Sequence, residues 1–137
     1  MTMMETAKPF FEACETGQGW AACQAYCHAD ATFSCQSGAL SDVTTLSAYA
    51  EWMKGLLTPI ADGHYEMKGF AEDAGRHVVL AFAVFHGTHS ADGGPVPATQ
   101  KTAASDYVYA MTFKDGKISH MTKIWNDAIA LSQLGWA

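Results

Sequence analysis

Residues 101–126 read KTAASDYVYAMTFKDGKISHMTKIWN, and the way polarity alternates along them decides the fold. Lys101 to Phe113 and Lys117 to Asn126 both follow a two-residue period, so each reads as a β-strand. Lys114-Asp115-Gly116 between them is the turn of a hairpin. Alternation places Tyr107, Tyr109, Met111 and Phe113 on one face, with Asp106, Val108, Ala110 and Thr112 on the other. A slip of one residue would exchange those faces and turn Asp106 inward. Working upstream, His64 to Ala71 and Arg76 to His89 are two further strands, joined by a turn at Glu72-Asp73-Ala74-Gly75. Ser90 to Thr99, with Gly93-Gly94-Pro95 and Pro97, is a connection within one domain.

Before His64 the period changes. Thr6 is a suitable cap for a first helix, with Pro9 in its opening turns, Phe10, Phe11 and Cys14 on one side, and Gly17 as its stop. A short helix from about Gly19 shows Trp20, Cys23 and Cys27 at helical spacing, and Ala31 to Gln36 is a short strand. Leu46, Tyr49, Ala50, Met53 and Leu57 mark a third helix, capped by Thr44 or Thr45 and closed by Pro59. Asp127 to Leu134 is a short terminal helix, with Asp127 as its cap. Helices first and long antiparallel strands afterwards define the α+β class. The helices have one large apolar sheet face to cover, so the predicted architecture is a cone-shaped, curved antiparallel sheet wrapped around helices. It forms a single domain over residues 1–137. The open end of the cone becomes a pocket, and the outer sheet face calls for polar side chains or a second copy of the chain.

Composition narrows the partners. Of 137 residues, 49% are hydrophobic and 16% charged, a balance that suits a packed domain. Four Trp, five Tyr and seven Phe supply enough rings to line a cavity as well as a core. The net charge is −6 and the eight Lys and Arg are scattered, which argues against nucleic acid as a partner. The longest strongly apolar run, Val78 to Phe85, is too short to span a bilayer. Met1 to Thr6 lacks the basic start and apolar stretch of a leader. Cys14, Cys23, Cys27 and Cys35 read as free thiols in a reducing compartment, so a cytoplasmic location is expected. No metal set is evident. His86 and His89 lie three apart on a strand and point to opposite faces, so at most one enters the cavity.

Three stretches carry a family likeness: Tyr26-Cys27-His28-Ala29-Asp30-Ala31-Thr32-Phe33, the hairpin Phe113-Lys114-Asp115-Gly116-Lys117-Ile118, and Trp125-Asn126-Asp127 followed by Gln133-Leu134-Gly135. With the element order, they make the chain resemble the SnoaL-like polyketide cyclase group of the nuclear transport factor 2-like superfamily. The resemblance implies the cystatin-like α+β barrel, a homodimer, a small hydrophobic ligand and no cofactor. It also implies proton transfer at a carbonyl compound, giving cyclisation, isomerisation or dehydration. Relatives keep a general acid/base aspartate immediately before a tryptophan on the last strand. Here Ile124 precedes Trp125, and a one-residue bulge would bring Lys123 into that place. A lysine serves there only if desolvation lowers its pKa toward neutral.

The family's polar pair on the preceding strand falls on Tyr107 and Tyr109, whose phenols can donate to a developing enolate oxygen. The candidate catalytic set is therefore Lys123, Tyr107, Asp106 and Asp127, and the candidate ligand-binding set is Tyr109, Trp52, Trp125, Asn126, His89 and Trp20. The alternative is a dimeric binding module without catalysis, which expects a pocket of rings and methionines with every carboxylate outside it.

Overall fold

The computed structural model describes all of residues 1–137. Helix α1 (Met3–Glu15) begins a turn earlier than the sequence suggests. Its cap is Thr2 rather than Thr6: Thr2 Oγ1 accepts the Glu5 amide at 3.1 Å, and Glu5 Oε1 accepts the Thr2 amide at 3.1 Å. This reciprocal box satisfies two amides that the helix start would otherwise leave unpaired. Pro9 therefore lies inside the helix, and Thr6 is buried on its inner face.

The buried positions Ala7, Phe10, Phe11 and Cys14 continue without a break to Glu15. Gly17 ends the helix region with φ +70, and a Cβ there would stand 2.6 Å from Leu57 Cδ1. Only glycine meets both demands, so the end of α1 is pinned against the end of the third helix.

A four-residue helix α2 (Trp20–Cys23) runs through a 3-10 turn, Gln24–Tyr26, into strand β1 (Cys27–Cys35). That strand starts four residues ahead of the expected Ala31. Helix α3 (Leu46–Leu56) is capped by Thr45, whose hydroxyl accepts the Ala48 amide at 3.2 Å, and it buries Leu46, Tyr49, Ala50 and Met53. Strands β2 (His64–Asp73), β3 (Val78–Thr88), β4 (Thr102–Lys114) and β5 (Lys117–Trp125) follow, then helix α4 (Asp127–Leu134).

The sheet order is β1-β5-β4-β3-β2. The three hairpin pairings are antiparallel as expected, but β1 joins β5 in parallel. A parallel pair needs a long crossover, and the whole of β2 to β4 supplies it. That pairing leaves no short-range trace in the sequence.

Register settles which face of β4 is inside. Ser105, Tyr107, Tyr109, Met111 and Phe113 are buried, whereas Asp106 is exposed on the outer face. Ala81 pairs with Tyr109 and Ala83 with Tyr107 across β3, while Lys123 and Trp125 pair with the same two tyrosines across β5. The small alanines leave the inner face room for rings from the helices. Phe11 of α1 accordingly reaches the Tyr109 ring, with centroids 5.0 Å apart.

The β4–β5 register shifts between Thr112 and Phe113, leaving Ser119 outside the pairing. This bulge lets Ile118 and Met121 both point inward, and alternation then carries Lys123 inward and Ile124 outward. The irregularity thus lies upstream of Lys123, not between it and Trp125.

Asn126, not Asp127, caps α4 by accepting the Ile129 amide. Asp127 Oδ2 instead accepts the Ala39 amide at 2.8 Å, which ties α4 to the loop after β1. No helix is long and apolar enough to cross a membrane.

Candidate active site

At the open end of the cone, β3, β4, β5, α3 and α4 enclose a cavity of about 210 Å³. Its wall is mostly apolar, with Met53, Leu56, Ile60, Phe85 and Leu134 beside Trp52, Trp125 and Trp136. The polar side chains in that wall are Glu15, Ser105 and Lys123, together with the hydroxyl of Tyr107.

Glu15 and Lys123 are both almost fully buried, at 3% and 5% exposure. They occupy the two ends of one hydrogen-bonded chain. Lys123 Nζ donates to Tyr49 Oη at 3.0 Å, Tyr49 and Tyr109 share a bond of 2.6 Å, and Tyr109 Oη donates to Glu15 Oε2 at 2.6 Å. Because the Tyr109 proton goes to Glu15, Tyr49 is the donor to Tyr109. The weaker alternative acceptor for Tyr49 is Met53 Sδ at 3.9 Å. Ammonium, two phenols and carboxylate are therefore aligned in a single direction.

Four rings surround the Lys123 Nζ. Its distance to the ring centroid is 4.3 Å for Trp125, 5.1 Å for Tyr49, 5.3 Å for Trp52 and 5.4 Å for Tyr107. Their faces compensate in part for lost water around a cation.

Burial pushes the Glu15 carboxyl above its ordinary range, and the Lys123 charge with the nearby Tyr107 and Tyr109 hydroxyls pulls it part of the way back. Burial pulls Lys123 below its ordinary range, with the Glu15 charge opposing. Burial first, and the neighbouring anionic groups second, hold Tyr49 and Tyr109 well above the usual phenol range, so both remain protonated bridges. Moving one proton at each link converts the ammonium–carboxylate form into the amine–carboxylic acid form without exposing either end to water. Tyr107 Oη is buried with no hydrogen-bond partner and stands in the cavity wall.

The residues singled out from the sequence divide as follows. Lys123, Tyr107, Trp52 and Trp125 line the cavity, and Tyr109 lies directly behind it as the link to Glu15. Asp106 and Asp127 are outside it: Asp106 projects from the outer sheet face, and Asp127 is bound to the Ala39 amide. Asn126 caps α4 and borders an outer groove.

His89 is fully buried behind Trp136, whose indole N–H it accepts at 2.8 Å, and is not part of the wall. His86 faces outward, 3.0 Å from Glu66, so the two histidines do point apart. Trp20 is half-buried at the start of α2, packed on the core away from the cavity.

Glu15, Tyr49 and Trp136 were not anticipated as site residues. The signal for Glu15 was its place four residues after Phe11, on the stripe that the first helix buries.

A cone-shaped α+β domain holding a deep, mostly apolar cavity at its open end is the class that fold and geometry define. The chain belongs to the SnoaL-like domain family, whose profile matches residues 7–121. Among solved structures, IdmH, a candidate polyketide cyclase from Streptomyces antibioticus, is 20% identical with a TM-score of 0.76, covering 98% of this chain and 99% of its own. AclR, a candidate hydroxylase from Streptomyces galilaeus, is 18% identical with a TM-score of 0.76, over 98% of this chain and 85% of that one. A candidate SnoaL-like polyketide cyclase from Jannaschia sp. CCS1 is 13% identical with a TM-score of 0.79, over 98% and 92%. At such identities these likenesses establish the fold, of the NTF2-like and cystatin type, and not the reaction. A search of curated protein sequences finds no match.

Proposed function

We propose that the chain is an enzyme that moves a proton next to the carbonyl group of a small hydrophobic compound, leading to isomerisation, cyclisation or dehydration. The observation that carries this reading is the buried chain Glu15–Tyr109–Tyr49–Lys123, both ends of which face the apolar cavity. Glu15 is the base, because burial makes its carboxylate a better proton acceptor than an exposed one. Lys123 and the unpartnered Tyr107 hydroxyl are the donors that meet the negative charge developing on the carbonyl oxygen. The rings around them orient a flat substrate. An apolar cavity of roughly 150 Å³ accepts benzene, so one of about 210 Å³ suits a single-ring or small two-ring compound. The binding-module alternative expects every carboxylate outside the pocket, and Glu15 in the wall weighs against it.

The test is hydrogen exchange in heavy water, followed by proton NMR, at the carbon beside the carbonyl of acetophenone and 1-tetralone. The wild-type chain should accelerate exchange, and Glu15→Gln should slow it by about 100-fold or more. Equal rates for the two proteins would remove Glu15 from the mechanism.

We also propose that the outer sheet face pairs with a second copy of the chain. Phe82, Val108 and Ile124 stand side by side across β3, β4 and β5, and Phe82 and Ile124 are 42% and 62% exposed. An apolar row of this kind in the middle of a sheet needs covering.

A further inference from the structure

Lys123 has more to offer than a hydrogen bond. Lys123 lines the cavity, and its amine lies among the rings of Trp52, Tyr107 and Trp125, which line it too, so a carbonyl carbon bound there comes within reach of it. Attack on that carbon needs a free amine, and the same site holds a route for the surplus proton: through Tyr49 and Tyr109 to the Glu15 carboxylate, over links of 3.0, 2.6 and 2.6 Å. Building on the carbonyl substrate argued above, we propose that Lys123 condenses with the ketone or aldehyde group of the bound compound to form a covalent iminium intermediate.

The Lys123 ammonium passes one proton along the phenols to Glu15. The nitrogen lone pair then forms the C–N bond as the C=O π pair moves to oxygen, and a proton transfer from nitrogen to oxygen gives the carbinolamine. Glu15 returns its proton to the departing hydroxyl, the C–O bond breaks, and water leaves. The sum is ammonium plus carbonyl going to iminium plus water, with no oxidant or reductant. Positive charge ends on the nitrogen where it began, inside the four rings whose centroids lie 4.3 to 5.4 Å away. The ring faces that hold the ammonium therefore hold the iminium as well. A desolvated lysine beside an apolar pocket is a known way to activate an amine for this chemistry. The iminium in turn acidifies the adjacent C–H, which is the proton that Glu15 removes.

The experiment incubates the protein with acetophenone and sodium cyanoborohydride, then locates the reduced adduct by intact mass and peptide mapping. Lys123 should carry it at least about tenfold more than any exposed lysine, which serves as the internal control. Tyr49→Phe, which keeps Lys123 but cuts the route for its proton, should slow adduct formation about tenfold at neutral pH and recover on raising the pH. Accelerated exchange beside the carbonyl with no adduct at Lys123 would overturn the covalent step and leave the proton-transfer reading standing. Absence of both would overturn the two together, and an unchanged rate in Tyr49→Phe would overturn the relay.

Discussion

Glu15 sits in the last turn of α1, where the helix dipole presents its negative end and the turn itself carries no basic residue. Dipole and burial both disfavour the carboxylate there, so the site holds a group biased toward its protonated form. The native chain thus keeps that proton to a higher pH than the unfolded chain does. Its contribution to stability is full below the ordinary carboxyl range and is lost as pH rises through the raised native value. Glu15→Gln has nothing to lose in that way. Its melting temperature, relative to wild type, should become more favourable as pH rises from the ordinary carboxyl range through the raised native value, and a difference constant with pH would mean that Glu15 titrates as an exposed group.

The rate of exchange should rise on an acidic limb above the ordinary carboxyl range and fall on a basic limb below the ordinary lysine range. Tyr109→Phe removes a donor from the charged form of Glu15, so the acidic limb should move higher still. The loss of stability should be about 1–3 kcal/mol.

At this scale Lys123, Tyr107 and Trp125 were legible in the sequence, because period two fixes a face once the register is known. Glu15 was not, because a carboxylate near a helix end reads as solvent-facing, and its burial depends on which sheet face α1 meets.

Among the elements, α1 sets the geometry of the site and Gly17 sets α1. Gly17→Ala forces a left-handed φ on a side chain and drives its Cβ toward Leu57, so a loss of about 1–3 kcal/mol is expected. Chemical denaturation gives that number. The same displacement should lower turnover more than the stability change explains, because Glu15 lies two residues from Gly17; a variant fully active when folded would separate the two.

The element order from α3 to α4 could be read from periodicity and from Pro59, Asp115-Gly116 and Gly135. The true start of α1 is readable too, since Thr2 and Glu5 have capping-box spacing, but Pro9 favours a start three residues before it. The parallel partnership of β1 and β5 was out of reach, because pairing between distant strands depends on backbone geometry and not on local pattern.

For the molecule as a whole, the outer face is where solution behaviour and structure meet. Ile124→Glu puts a charge in the apolar row without touching the cavity-facing side of β5. If the face pairs two chains, sedimentation should show a dimer for wild type and a monomer for the variant, with the secondary-structure spectrum unchanged. A wild-type monomer at micromolar concentration would end that proposal. Alternation along β4 places Asp106 on this face, and the structure has it exposed there. Phe82 and Ile124 add an exposed apolar row across the neighbouring strands, which alternation alone does not single out.

The parallel seam between β1 and β5 also has a consequence for how a newly made chain acquires its chemistry. Cys35 of β1 faces Lys123 of β5 across that seam, and Glu15 waits on a helix made earlier still. Until the last strand has been made, β1 lacks the edge it pairs with, and Glu15 and Lys123 cannot share one cavity. Long-range closure of this kind is slow to nucleate. The cavity that Glu15 and Lys123 share therefore forms only when the two ends of the chain have met.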